Sequence, residues 1–179
     1  LLAGFTSVRN LGDSNNVTVS LRNAINAGIV PGPRIFTSGT TISSSGGHGD
    51  PTNALRFGLS SDPGPEDGII NNSNDAYKAV RYRYKQGSNL IKITSTGGVL
   101  SNAKDGQNPQ LTEEEISTIV SASKDYNFKV AAHAHGAEGI KRAIRSGVDS
   151  IEHGTLMDSE GMRLMRENGV YLVPTLLAG

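Results

Sequence analysis

No cysteine occurs among the 179 residues, which removes disulfides, thiolate zinc sites and cysteine nucleophiles together. The compartment stays open, because a chain without cysteine can work anywhere. Nor is there an excess of either charge: 17 Lys and Arg stand against 17 Asp and Glu. That balance argues against a nucleic-acid partner or an anionic membrane held by bulk electrostatics. No apolar run approaches about 18 residues, so no membrane-crossing helix is expected. Nothing at the start resembles a signal peptide, and Met is missing from position 1. The chain opens Leu1-Leu2-Ala3-Gly4-Phe5, which reads as a helix end running into a strand. It closes Tyr171-Leu172-Val173-Pro174-Thr175 followed by Leu176-Leu177-Ala178-Gly179, which reads as a strand and then a loop. Both ends look cut from inside a repeating pattern, and the chain is expected to be a fragment.

What is present is a core-forming composition, 36% hydrophobic and 19% charged, and a recurring local pattern. Helical periodicity runs into Gly and then into a short apolar run at Gly4, Gly87, Gly147 and Gly169. Glycine ends a helix in the left-handed conformation without a Cβ penalty. The short β-branched run after it fits a buried parallel strand. Strands are expected over residues 6–10, 34–38, 90–94, 129–133, 150–153 and 171–175, and helices over 17–27, 75–86, 112–126, 137–146 and 159–168. Thr112 and Glu115 have the spacing of a capping box, followed by the apolar stripe Ile116, Ile119 and Val120. Strand and helix alternate with no hairpin signal, which defines an α/β domain with a parallel sheet. Two long loops, 39–73 and 95–111, follow carboxyl ends of strands, where α/β folds carry their sites.

Lys92 lies inside Leu90-Ile91-Lys92-Ile93-Thr94, otherwise a buried strand. Alternation puts Ile91 and Ile93 on one face and Lys92 and Thr94 on the other. A buried amine is costly unless paired or chemically changed. Three readings stand at this point: a solvated lysine on an edge strand, a Schiff-base amine, or a lysine carboxylated by carbon dioxide into an anionic oxygen ligand. His133 ends Val130-Ala131-Ala132-His133 and His153 ends Ser150-Ile151-Glu152-His153. The two are one βα unit apart, at what look like equivalent strand ends, and make a plausible pair of metal ligands. His135 follows in the loop, as a group that supports the ligands, a substrate-binding group or a solvated histidine. His48 sits in the glycine-rich loop Gly46-Gly47-His48-Gly49-Asp50, where glycines let backbone approach a ligand. The acidic run Glu113-Glu114-Glu115 is read as structural, since it complements the dipole at a helix start.

With these residues placed, the sequence resembles the amidohydrolase superfamily, and most of all its Xaa-Pro dipeptidase (prolidase) and ochratoxinase-like branch. The resemblance covers essentially the whole chain. It rests on Gly4-Phe5-Thr6-Ser7-Val8-Arg9-Asn10-Leu11-Gly12, on Gly46-Gly47-His48-Gly49-Asp50, and on Ile91-Lys92-Ile93 with Ser95-Thr96-Gly97-Gly98-Val99. His133-Ala134-His135-Gly136 and Ile151-Glu152-His153-Gly154 complete it. The resemblance implies a (β/α)8 TIM barrel of the amidohydrolase type, here incomplete, with residues 1–179 forming the central part of one domain and carrying the family's second to seventh strands. It implies two divalent metal ions, usually zinc, with Lys92 as the bridging carboxylated lysine and His133 and His153 as ligands. His48 and His135 are then candidates for the substrate. A His-x-His pair would lie before Leu1, and the aspartate expected as general base would lie after Gly179. No catalytic proton carrier is therefore expected within the chain.

The implied reaction is hydrolysis of an amide bond in a small N-acyl amino acid or Xaa-Pro-type dipeptide by metal-activated water. The expected partner is a small-molecule or dipeptide substrate, with no nucleic acid and no membrane; self-association is left open. Two rivals accompany this reading: a Schiff-base lyase using Lys92, and a truncated, non-catalytic barrel piece.

Overall fold

A computed structural model describes residues 1–99, 101 and 105–175. The loop reading of residues 176–179 and part of the 95–111 loop fall outside the described residues. In chain order the elements are β1 (Ser7–Asn10), α1 (Val17–Asn26), β2 (Arg34–Thr37), β3 (Ser43–Ser44), β4 (Ile69–Ile70), α2 (Ser73–Gln86) and β5 (Ile91–Thr94). They continue as α3 (Glu113–Lys124), β6 (Val130–Gly136), α4 (Ala137–Arg145), β7 (Ser150–Leu156), α5 (Ser159–Asn168) and β8 (Tyr171–Val173). All six expected strands and all five expected helices form. The short pair β3–β4, inside the loop 39–73, has no periodic signal long enough to announce it.

Every ladder between these strands is parallel. They form three ladders, β1-β2, β3-β4 and β5-β6-β7-β8, where the sequence suggests one continuous sheet. Backbone hydrogen bonds tie the ladders together. Asn89 donates to the Thr37 carbonyl at 2.8 Å, Ile42 to the Lys92 carbonyl at 2.8 Å, and Thr94 to the Ile42 carbonyl at 3.0 Å. Lys92 is thus flanked on both sides, by the chain at Ile42 and by β6. The solvated-edge reading of Lys92 is overturned, because that strand has no free edge there.

The helices start and stop where local chemistry dictates. Asn72 caps α2 by accepting from the Asp75 amide, and Asp158 caps α5 by accepting from the Gly161 amide. Thr112 and Glu115 close the full capping box of α3, a feature that typically stabilises a helix by about 1 kcal/mol. Gly87 and Gly169 end α2 and α5 with φ of 88° and 66°, as their position after the helices requires.

The sheet has two chemically different faces. Ile91, Ile93, Val130, Ala132, Ala134 and Ile151 join the core with helix residues such as Ala79, Val80, Ile116, Ile119, Ile140 and Ile144. The register sets Lys92 beside Ala131 and Ser150, and Thr94 beside His133 and Glu152. In a parallel ladder such partners share a face, so these polar groups gather on the opposite, inner side. Arg9 of β1 reaches across that side to Ser150 and Glu152 of β7, which shows that the strands curve around it. No described helix is long and apolar enough to cross a membrane.

Candidate metal centre

Four imidazoles gather at the carboxyl ends of the strands. The His133 ring lies 4.3 Å from that of His48, stacked, and 4.8 and 4.9 Å from those of His135 and His153, edge-on. His135 and His153 stack at 5.0 Å. One nitrogen from each of His133, His135 and His153 lies within 4.8 Å of the others, a group that could hold a metal ion. His135 belongs to this group because it sits two residues beyond His133 on the extended β6, which runs through Gly136 rather than stopping at His133.

His153 reaches the group by a different route. Its register partner is Ala134, and it is Glu152 that aligns with His133. The positions of His133 and His153 are therefore not equivalent, contrary to what their spacing suggests; simple alternation would turn His153 to the helix side. Its φ of 73° breaks the alternation. A left-handed conformation at a residue with a Cβ is strained, typically by about 1–2 kcal/mol, and such strain concentrates at functional sites.

The other ring nitrogens are held by the protein. His133 Nε2 lies 2.8 Å from the Gly97 carbonyl. A carbonyl only accepts, so Nε2 carries the proton and Nδ1 keeps a lone pair. His135 Nδ1 and His153 Nδ1 contact the hydroxyls of Thr155 and Thr175 at 2.9 and 2.7 Å. Such contacts orient metal-binding imidazoles and fix which nitrogen faces the ion. His48 Nδ1 is buried with no hydrogen-bond partner among the described residues. Its backbone amide donates to Gln110 Oε1 at 2.8 Å, which joins the two long loops over the strand ends. Gly98 packs directly against the His48 ring, and a Cβ at that position would collide with it.

Electrostatics favour neutral imidazoles. Burial pushes the His133 pKa down to about 3, with the neighbouring His48, Lys92 and His135 charges adding to the effect. Burial also lowers those of His48, His135 and His153. Neutral imidazole is the form that binds metal, so the donor set fits a divalent ion at neutral pH. Lys92 is 7% exposed. Burial lowers its pKa to about 8, against the opposing pull of Glu152 and with further help from Arg9.

These shifts carry a pH prediction for the metal-free protein. Between pH 6.5 and about 3 the unfolded chain protonates His133 and the folded chain does not. The stabilisation from this group is present above pH 6.5 and is lost as pH falls. Each histidine so shifted contributes a slope of up to about 1.4 kcal/mol per pH unit. Denaturant unfolding should show a falling midpoint from pH 6.5 to 5 and little histidine-linked change from 7 to 8; a midpoint that rises on acidification would contradict it.

Two charged residues of the inner face went without a role in the sequence reading. Glu152 is 4% exposed and accepts from Arg9 Nη2 at 2.8 and 2.9 Å. Ser150 Oγ donates to the same carboxylate at 2.6 Å. The available signal was parity: Glu152 interrupts an apolar strand as Lys92 does.

A parallel α/β fold that gathers three imidazoles at its strand ends, with a buried lysine on the same face of the sheet, is an arrangement that could hold a metal ion. Residues 1–178 match the amidohydrolase family, and the chain belongs to it. It is 33% identical over 184 aligned positions to ochratoxinase of Aspergillus niger, covering 96% of this chain and 38% of that protein. Among solved structures, a Xaa-Pro dipeptidase with methionine bound in its active site is 60% identical with a TM-score of 0.94, covering 96% of this chain and 42% of that one. A prolidase complexed with N-methylphosphonate-L-proline is 38% identical with a TM-score of 0.86, covering 97% and 43%. The chain thus spans about two fifths of the length of these relatives.

Proposed function

We propose that this chain forms the central part, the second to seventh strands, of a (β/α)8 barrel enzyme that hydrolyses an amide bond in a small N-acyl amino acid or Xaa-Pro-type dipeptide at a binuclear metal centre. The observation that carries the proposal is the convergence of His133, His135 and His153 on the face of the sheet that also carries buried Lys92. The similarity to a dipeptidase, a prolidase and ochratoxinase supports the substrate class.

In this reading His133 Nδ1, His153 Nε2 and a carboxylated Lys92 hold the ions, with zinc as the expected metal. A bound divalent ion lowers the pKa of water towards neutrality and polarises a carbonyl. The remaining roles belong to the chain's own groups. His48, stacked on His133 with its Nδ1 unpartnered among the described residues, is assigned to the substrate's carboxylate or carbonyl. His135 is assigned to the substrate beside it. Thr155 and Thr175 keep the His135 and His153 rings in place. Glu152 is not the proton carrier, because Arg9 and Ser150 occupy its carboxylate. That role is assigned to an aspartate outside residues 1–179.

The test uses the full-length protein with matched panels of Xaa-Pro dipeptides and N-acyl amino acids. Release of the free amino acid, abolished by a chelator and restored by zinc, is the expected result. Absence of hydrolysis in both panels with metal bound would refute the substrate class.

A further inference from the structure

His48 stands on a loop, outside any helix or strand. That loop holds the residues on either side of it. Asn53 Nδ2 donates to the Gly47 carbonyl at 2.6 Å, and the Gly49 amide donates to Ser43 Oγ at 3.1 Å. Residue 48 itself is held from elsewhere. Its amide donates to Gln110 Oε1 at 2.8 Å, across 62 residues of sequence. Gln110 is anchored in turn, since its own amide donates to the Ser95 carbonyl at 2.9 Å and Thr96 pairs with Pro109 in an antiparallel bridge. The His48 ring is stacked on His133 at 4.3 Å. A Cβ added at Gly98 would stand 2.4 Å from the ring's Cε1 and 2.7 Å from both its nitrogens. A methyl there fits only if the imidazole moves. The 95–111 loop therefore sets both the backbone and the ring of a histidine carried by the other long loop.

We propose that Gln110 and Gly98 are positioning residues that seat the His48 imidazole for substrate, Gln110 by fixing its backbone and Gly98 by leaving room for its ring. The inference rests on the assignment of His48 to the substrate above. Both residues act through His48. A group that orients substrate works only when its geometry is fixed in advance, and a displacement of about 1 Å can cost on the order of a hundredfold in rate. Loss of the Gln110 acceptor, or of the space at Gly98, should then reproduce part of the loss of His48 while the metal stays bound. The kinetic form of the defect also reports what His48 holds. A contact to the substrate's carboxylate, made equally before and during reaction, shows in KM. A contact to the scissile carbonyl, strengthened as charge develops, shows in kcat.

The experiment measures kcat, KM and metal content in the full-length, zinc-loaded protein with the Xaa-Pro and N-acyl panels. Wild type, Gln110→Met, Gly98→Ala and His48→Ala are compared, with each of the first two variants also combined with His48→Ala. Gln110→Met keeps the side chain's length and removes the acceptor. Each loop variant alone should lose about tenfold or more of kcat/KM at unchanged metal content, divided between kcat and KM as in His48→Ala. In the His48→Ala background each should cost less than about twofold, because no ring is left to place. A loss that persists in that background would mark a general effect on the fold and overturn the proposal, as would lost metal or wild-type kcat/KM in either loop variant. His48→Ala at the wild-type rate would remove His48 from the substrate and the inference with it, leaving the hydrolase reading intact. No hydrolysis by metal-loaded wild type would refute both. If one loop variant fails to fold by circular dichroism, the other decides. If neither folds, both residues serve the fold and the proposal is overturned.

Discussion

Lys92→Ala in the full-length protein is expected to lose bound metal and more than about a hundredfold of its activity, a larger effect than removing a group that only orients a ligand. Lys92 is buried in a strand flanked on both sides, so its loss cannot be the neutral surface change that an edge lysine would allow. Its unusual amine has three fates to separate. As a carboxylated bridge, it supplies an anionic oxygen pair, and short carboxylic acids added to Lys92→Ala should restore part of both metal and activity. Bicarbonate should then speed reconstitution of the wild-type apoprotein. As a Schiff-base amine, borohydride with a carbonyl substrate should trap Lys92 covalently, and chelators should leave activity unchanged. As a structural group alone, Lys92→Met, which keeps the volume, should retain both metal and rate. Metal analysis and activity in these two variants decide the matter, and full metal content with full activity in Lys92→Ala would reject the bridge.

The second large effect concerns His153. His153→Ala and His133→Ala are each expected to lower the metal content of the full-length protein, since each removes one of the clustered nitrogens. His153 allows a sharper comparison because its backbone is left-handed. His153→Gly should lose metal as His153→Ala does, yet in the metal-free state it should be more stable than His153→Ala by roughly 1 kcal/mol. Glycine accepts that φ without a Cβ clash, and its extra unfolded-state freedom offsets only part of the gain. The pair of variants thus separates strain held for function from ordinary packing. Elemental analysis and denaturant melts of both would check it. Equal stability of the two variants would show that the conformation costs nothing, and unchanged metal in both His153→Ala and His133→Ala would remove these residues from the centre.

Much of the fold was legible in the linear sequence because its causes are local. Glycines after helical runs, the Thr112–Glu115 capping box and β-branched runs such as Ile91 to Thr94 act over a few residues, and each produced the expected element. Element ends moved by a few residues where tertiary pairing extended a strand, as β6 grew to Gly136 and β7 to Leu156. The pair β3–β4 escaped notice because two-residue strands carry no periodicity.

The candidate site divides along the same line. From the linear sequence alone, Lys92 interrupts an apolar strand, His133 and His153 end strands one βα unit apart, His135 follows His133 in the loop and His48 sits in a glycine-rich loop. These follow from residue type and short-range alternation. That the four rings meet, that register aligns Glu152 rather than His153 with His133, and that a left-handed φ turns His153 back towards the group all come from the packed fold. It alone revealed that Arg9 closes on Glu152 from the far end of the chain. Alternation fixes a side chain's face within one strand, but register, curvature and a single strained dihedral fix which faces meet, and those arise from packing between segments, from neighbouring strands such as β6 and β7 to the contact of Arg9 with Glu152 143 residues away.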